Sequence, residues 1–155
     1  MTPIQAQSLP FMLKGKDVIA QGKTGSGKTA AFGLPILHHI NPKSDKIQAL
    51  VLSPTRELGQ QIAKQFFKFT KYNTDKIFTE AVYGGEHISK QLSRLTRTTH
   101  ILVATPGRLV DLLERKVVDL SGVRTVVLDE ADEMLHMGFK KDLESILNQC
   151  PEKRS

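Results

Sequence analysis

The stretch Val18-Ile19-Ala20-Gln21-Gly22-Lys23-Thr24-Gly25-Ser26-Gly27-Lys28-Thr29, followed by Ala30-Ala31-Phe32-Gly33-Leu34, decides how the rest of the chain is read. A short apolar, β-prone segment runs into Gly-x-x-x-x-Gly-Lys-Thr, and the residues after it suit a helix. That is the strand, loop, helix context a phosphate-binding loop requires. Gly22, Gly25 and Gly27 let the backbone curl so that successive N–H groups point into one concavity, where a polyphosphate lies without meeting a Cβ. A helix starting near Gly27 adds its unpaired N–H groups and positive dipole end at the same place. Lys28 then reaches the β/γ-phosphates and the Thr29 hydroxyl ligates Mg²⁺. Lys23, taken alone, is a solvated loop charge.

A chain of 155 residues with 39% hydrophobic and 25% charged side chains suits one globular domain with its own core. Lys and Arg number 22 against 16 Asp and Glu, a net charge of +6, which fits polyanionic partners as well as a merely basic surface. Cys150 is the single cysteine, so there is no internal disulfide framework and a reducing compartment is expected. His38, His39, His87, His100 and His136 lack metal-ligand spacing, so no zinc site is expected. No apolar run approaches membrane-spanning length and the N-terminus lacks a signal-peptide pattern. The expected setting is the cytoplasm, or the nucleus in a eukaryote, with no membrane partner.

In chain order, Thr2-Pro3 opens a helix that continues to Leu13, and a helix after Gly27 runs to about Ile40 with a kink at Pro35. Ala49 to Leu52, Lys76 to Tyr83, Ile101 to Ala104 and Val126 to Leu128 read as further strands. Between them lie a helix capped by Thr55 with Leu58, Ile62, Phe66 and Phe69 on one face, and a surface helix within Glu86 to Thr99 carrying Ile88, Leu92 and Leu95. Leu109 to Glu114 and a final segment to about Gln149 are also helical. This alternation predicts an α/β fold, a parallel sheet with helices on both faces and functional loops at the carboxyl ends of the strands.

The strand ends carry Ser53-Pro54-Thr55-Arg56-Glu57, Gly84-Gly85, Thr105-Pro106-Gly107-Arg108 and Asp129-Glu130-Ala131-Asp132. Singly, Gly84-Gly85 is a turn, Pro106-Gly107 a helix entry and Asp129-Glu130 a helix N-terminal charge pair. Beside a phosphate loop, two carboxylates ending an apolar strand become its partner: Asp129 to hold Mg²⁺, Glu130 to orient and deprotonate the attacking water.

The ordered set of Thr2-Pro3-Ile4-Gln5, the loop 22–29, Pro54-Thr55-Arg56-Glu57-Leu58, Gly84-Gly85, Thr105-Pro106-Gly107-Arg108 and Asp129-Glu130-Ala131-Asp132 strongly resembles the DEAD-box family of ATP-dependent RNA helicases, over nearly the whole chain. The resemblance implies a RecA-like P-loop NTPase domain with ATP and Mg²⁺ as cofactors. It implies that Gln5 reads the adenine edge and that Gly22, Lys23, Thr24, Gly25, Ser26, Gly27, Lys28 and Thr29 bind ATP. Asp132 would belong to the network coupling nucleotide to RNA. Pro54, Thr55, Arg56, Glu57, Gly84, Gly85, Thr105, Pro106, Gly107 and Arg108 would contact the sugar-phosphate backbone of one RNA strand. Helix N-termini, glycine N–H groups and arginines are all phosphate binders, so this recognition should be sequence-independent and weaken with salt.

Two residues depart from the family's pattern: Gly22 stands where Ala is usual, and Gly59 does so inside a helix at a cost of ~1 kcal/mol. The aromatic residue that in the family precedes the Gln5 motif and stacks on adenine has no counterpart, which implies weaker adenine binding. The chain stops at Pro151-Glu152-Lys153-Arg154-Ser155, before the strand that in the family ends in Ser-Ala-Thr. From this we expect one partial domain over residues 1–155 without the second RecA-like domain, unable to unwind RNA alone. We also expect a sheet missing a central strand, with no direct ladder between Val18–Ala20 and Val126–Leu128. The alternatives are a nucleotide- and RNA-binding module without turnover and, less favoured by Asp-Glu-Ala-Asp beside Pro-Thr-Arg-Glu-Leu, a DNA translocase.

Overall fold

The computed structural model describes residues 18–20, 26–71 and 76–151, with side chains for 33–71 and 76–151. The helix expected over Thr2 to Leu13, Gln5, and Gly22 to Gly25 of the phosphate loop lie outside the described residues.

Five strands, β1 (Val18–Ala20), β2 (Ala49–Leu52), β3 (Thr79–Val82), β4 (Ile101–Ala104) and β5 (Thr125–Leu128), form one sheet in the order β1-β5-β2-β4-β3. Every pairing is parallel. The helices are α1 (Ser26–His39), α2 (Arg56–Thr70), α3 (Ile88–Leu95), α4 (Pro106–Glu114), α5 (Ala131–His136) and α6 (Lys140–Asn148). Side chains of a strand alternate between faces, and β2 divides accordingly. Ala49 and Val51 pack with Ile36 of α1 and with Ile62, Ala63 and Phe66 of α2. Leu50 and Leu52 pack with Leu109 and Leu112 of α4, Met134 of α5 and Leu143 of α6. Both faces are therefore covered, and each large apolar side chain fully buried there contributes roughly 1.5–3 kcal/mol. Pro35 sits inside α1 without ending it.

The expected gap in the sheet is absent. β1 lies directly against β5, with Val18, Ile19 and Ala20 opposite Val126, Val127 and Leu128. With nothing between them, the backbone N–H and C=O groups of two adjacent parallel edges satisfy one another. The third strand is also shorter than the apolar pattern suggests, Thr79–Val82 rather than Lys76 to Tyr83.

Register then places the loops. Ala20 is opposite Leu128, Leu128 opposite Leu52, Leu52 opposite Ala104, and Ala104 opposite Val82. One rung thus crosses the whole sheet at its carboxyl edge, and neighbouring strands stand about 4.8 Å apart. At the opposite edge, buried His100 accepts from the Phe78 N–H at 3.0 Å through Nδ1, and its Nε2 lies 2.8 Å from the Ser44 carbonyl. Nε2 therefore carries the proton, which ties the entries of β3 and β4 to the loop before β2.

Candidate functional site

Among the described residues, the residue after the common rung is Asp129, Ser53, Thr105 or Tyr83, so these four strands deliver their polar clusters to the same level. Three of these residues extend the ladder one step. The Asp129 N–H donates to the Leu52 carbonyl at 2.8 Å, Ser53 to Ala104 at 3.0 Å and Thr105 to Val82 at 3.1 Å.

At the β2–β4–β3 end the loops are tied by side chains. Thr55 caps α2, its Oγ1 accepting from the Leu58 N–H at 3.3 Å. Arg56 lies over the Tyr83 ring, 4.9 Å from its centroid, and Nη1 donates to the Gly85 carbonyl at 3.2 Å. Gly85 has φ +87°, a left-handed conformation that glycine adopts without a Cβ clash. Arg108 donates through Nη1 to the Glu86 carbonyl and to Gln91 Oε1, each at 3.1 Å. The predicted nucleic-acid residues Thr55, Arg56, Gly84, Gly85, Thr105, Gly107 and Arg108 thus meet on one contour, with Pro54 and Pro106 buried beneath it and Glu57 exposed beside it.

One donor differs from expectation. The Gly84 N–H is spent internally on Thr105 Oγ1 at 3.3 Å, so it does not face outward as an anion ligand. In consequence Thr105 makes no side-chain cap at α4. The first N–H groups of that helix, at Gly107 and Arg108, are left as the open anion-binding end. α2, which caps itself, is less open.

At the β5–β1 end the arrangement is acidic. Asp129 is fully buried; Glu130, half-buried, takes the left-handed conformation φ 51°, ψ 52° and precedes α5. Asp132 is exposed in the first turn of α5. β1, one strand away, leads toward α1, whose backbone begins at Ser26 and includes Gly27, Lys28 and Thr29. Adjacent carboxylates at a strand end, on the strand next to the one that precedes a helix carrying Lys28 and Thr29, are hard oxygen ligands of the kind Mg²⁺ takes, so the residue types fit a magnesium-bound polyphosphate.

A family model described as DEAD/DEAH box helicase matches residues 2–155. The chain belongs to the DEAD/DEAH box helicase family. The DEAD-box ATP-dependent RNA helicase CshA of Streptococcus pneumoniae is 51% identical over 153 residues, 99% of this chain and 29% of the relative. CshA of Bacillus subtilis is 50% identical over 150 residues, 97% of this chain and 30% of the relative. Among solved structures, a DEAD box protein from the hyperthermophile Methanococcus jannaschii superposes with a TM-score of 0.77 at 41% identity, covering 90% of this chain and 38% of that one. The chain therefore spans under a third of the length of the curated relatives it matches.

In this DEAD/DEAH box domain several contributors to the contour escape a reading of the sequence. α3, expected as a surface helix, buries Gln91 completely; its Nε2 donates to the Tyr83 carbonyl at 2.8 Å while Oε1 receives Arg108. Arg94 holds Glu86 at 2.6 Å and Glu80 at 3.3 Å and also donates to the Ala81 carbonyl. The hydrogen bond from Arg94 keeps the Glu86 carboxyl below its ordinary range, whereas burial raises that of Glu80 against the opposing pull of Arg94. The signal for Gln91 is its spacing, since it continues the apolar stripe of Ile88, Leu92 and Leu95.

Proposed function

We propose that this chain is the amino-terminal RecA-like half of an ATP-dependent RNA helicase, binding magnesium–ATP at the β1–β5 end of the sheet and single-stranded RNA backbone at the β2–β4–β3 end. The observation that carries the reading is the common rung, which brings the acidic pair and the arginine contour to one level on adjacent strands. Gln5 selects adenine, the loop 22–29 cradles the phosphates with Lys28 on the β/γ-phosphates, and Thr29 with Asp129 holds the metal. Bound there, magnesium–ATP supplies the scissile phosphoanhydride and neutralises the charge developing on it. Glu130 orients the attacking water and takes its proton on the side-chain carboxylate. Asp132, in the first turn of α5, relays between the two ends.

The contour of Arg56, Gly85, Gly107 and Arg108 offers charge and backbone N–H groups with no base-reading geometry, which favours phosphate contacts over sequence readout. In the intact gene product a second RecA-like domain closes both sites, and couples hydrolysis to separation of RNA strands, in the cytoplasm. The test is ATP hydrolysis by the intact gene product with single-stranded RNA or DNA of the same sequence. RNA is expected to accelerate turnover, DNA to do so little, and Arg108→Ala to raise the RNA concentration required. Equal stimulation by DNA, or none by RNA, contradicts the proposal.

A further inference from the structure

Away from the strand tips, α2 carries a basic tract that the contour does not use. Lys64, Phe67, Lys68 and Lys71 recur at i, i+3, i+4 and i+7, so they share one helix face, and all four are exposed. Phe67 leaves 51% of its surface in water. One exposed aromatic needs no explanation. This one stands between lysines and lines two adjoining hollows. The first, about 340 Å³, lies between α2 and β3 and is lined by Gln60, Lys64, Phe67 and Tyr83 among others. The second, about 410 Å³, is lined by Lys64, Gln65, Phe67, Lys68 and Lys71. Sharing Lys64 and Phe67, they form one trough down the helix.

The trough meets the arginine contour at Tyr83, which lines the one and lies under Arg56 of the other. There Gln60 Nε2 donates to the Tyr83 hydroxyl at 3.1 Å. Its charge is one-sided. Among the described residues neither Lys64 nor Lys68 is in an ion pair, and Glu80, which lines the trough, is held by Arg94. Glu57 stands two turns away, in the first turn of α2, where the helix dipole already favours an anion.

We propose that this face of α2 is a second tract for single-stranded RNA, taking the strand where it leaves Arg56, Gly85 and Arg108; the assignment rests on the RNA-binding reading of that contour. Lys64, Lys68 and Lys71 meet successive phosphates and Phe67 stacks on a base, the alternation of cations and aromatic rings by which proteins hold single strands without reading sequence. α2 has 15 residues and is therefore about 22 Å long. That is the span of about six stacked nucleotides at roughly 3.4 Å each. An acidic protein segment would also meet the lysines, but the trough meets a contour suited to sugar-phosphate, which favours RNA.

Fluorescein-labelled oligouridines of about six and about sixteen nucleotides, lengths within the range one binding module occupies, are titrated with the intact gene product over a range of salt. Lys64→Glu/Lys68→Glu is expected to leave the short strand unaffected and weaken the long one, its log K against log salt becoming shallower by about 1.4, or about 0.7 per lost phosphate contact. Phe67→Ala should weaken the long strand at least about fivefold, the lower end of one aromatic stack. Both variants change exposed side chains, and an unchanged thermal midpoint verifies that they fold. If the long strand binds with unaltered affinity and salt slope while Arg56→Ala weakens both lengths, the contour stands and the tract is overturned. Binding of polyglutamate, lost in the lysine variant while long RNA is unaffected, overturns it in favour of a protein partner. If the parent protein binds neither oligouridine, tract and contour fall together.

Discussion

The two ends of the sheet's carboxyl edge are held by different means. At the β2–β4–β3 end, side chains from neighbouring loops grip one another's backbone: Arg56 on Gly85, Arg108 on Glu86, Gln91 on Tyr83, Thr105 on Gly84. At the β5–β1 end the backbone itself does the positioning, through the β1–β5 register, the Asp129 N–H on Leu52 and the left-handed turn at Glu130. The first kind of loop depends on single polar atoms. The second is set by strand pairing and carries its cost as conformational strain.

The largest break of that contrast should come at Gln91. Gln91→Leu keeps the volume but leaves the buried Tyr83 carbonyl without its donor and removes one partner of Arg108, at a cost of about 2–3 kcal/mol. The midpoint of urea unfolding, at unchanged slope, measures it, and RNA affinity should fall in parallel. A loss under about 0.5 kcal/mol would mean the loops do not depend on that carboxamide.

At the other end the sign reverses. A non-glycine residue in the left-handed region costs about 1–2 kcal/mol, and glycine returns about 0.5–1 kcal/mol of that in chain entropy. Glu130→Gly should therefore leave the fold as stable or up to about 1 kcal/mol more so, read as a raised thermal midpoint, although the carboxylate is gone. A clear loss of stability would show that the Glu130 side chain, not strain, dominates there.

Much of this edge is legible in the sequence because strand ends are written in local chemistry. Pro54-Thr55, Gly84-Gly85 and Pro106-Gly107 break a strand or open a helix wherever they occur, so their placement at one edge follows once the strands are parallel. The pairing of β1 with β5 is different. It joins residues more than a hundred positions apart, and apolar three- and four-residue strands carry no mark of which neighbour they take. Gln91 reads as surface because it is polar, although its place in the α3 stripe is the buried one. The internal use of the Gly84 N–H is not legible because its acceptor, Thr105 Oγ1, comes from another strand's loop.

The smallest expected effects depend on pH. Glu86 has its carboxyl lowered by Arg94, so its contribution is present above the ordinary value of 4.5 and is lost as pH falls through the lower folded one. Glu86→Gln should cost up to about 1 kcal/mol at neutral pH, and nothing once both proteins are below that folded value. Glu80 is raised by burial, so its contribution is present below 4.5 and lost as pH rises through the higher folded value. Glu80→Gln should then be neutral or slightly stabilising at neutral pH. Unfolding midpoints of the two variants across the acid range test the opposite signs, and parallel curves would refute the assignment.

In the proposed function, hydrolysis belongs to the β5–β1 end and RNA holding to the β2–β4–β3 end of one edge. Glu130→Gln in the intact gene product, assayed for single-turnover ATP hydrolysis and RNA affinity in the same preparation, tests it most directly. Loss of a general base predicts hydrolysis slower by at least about a hundredfold, with RNA affinity in the presence of ATP retained. Hydrolysis at the parent rate, or hydrolysis and RNA binding lost together, would contradict the division of labour.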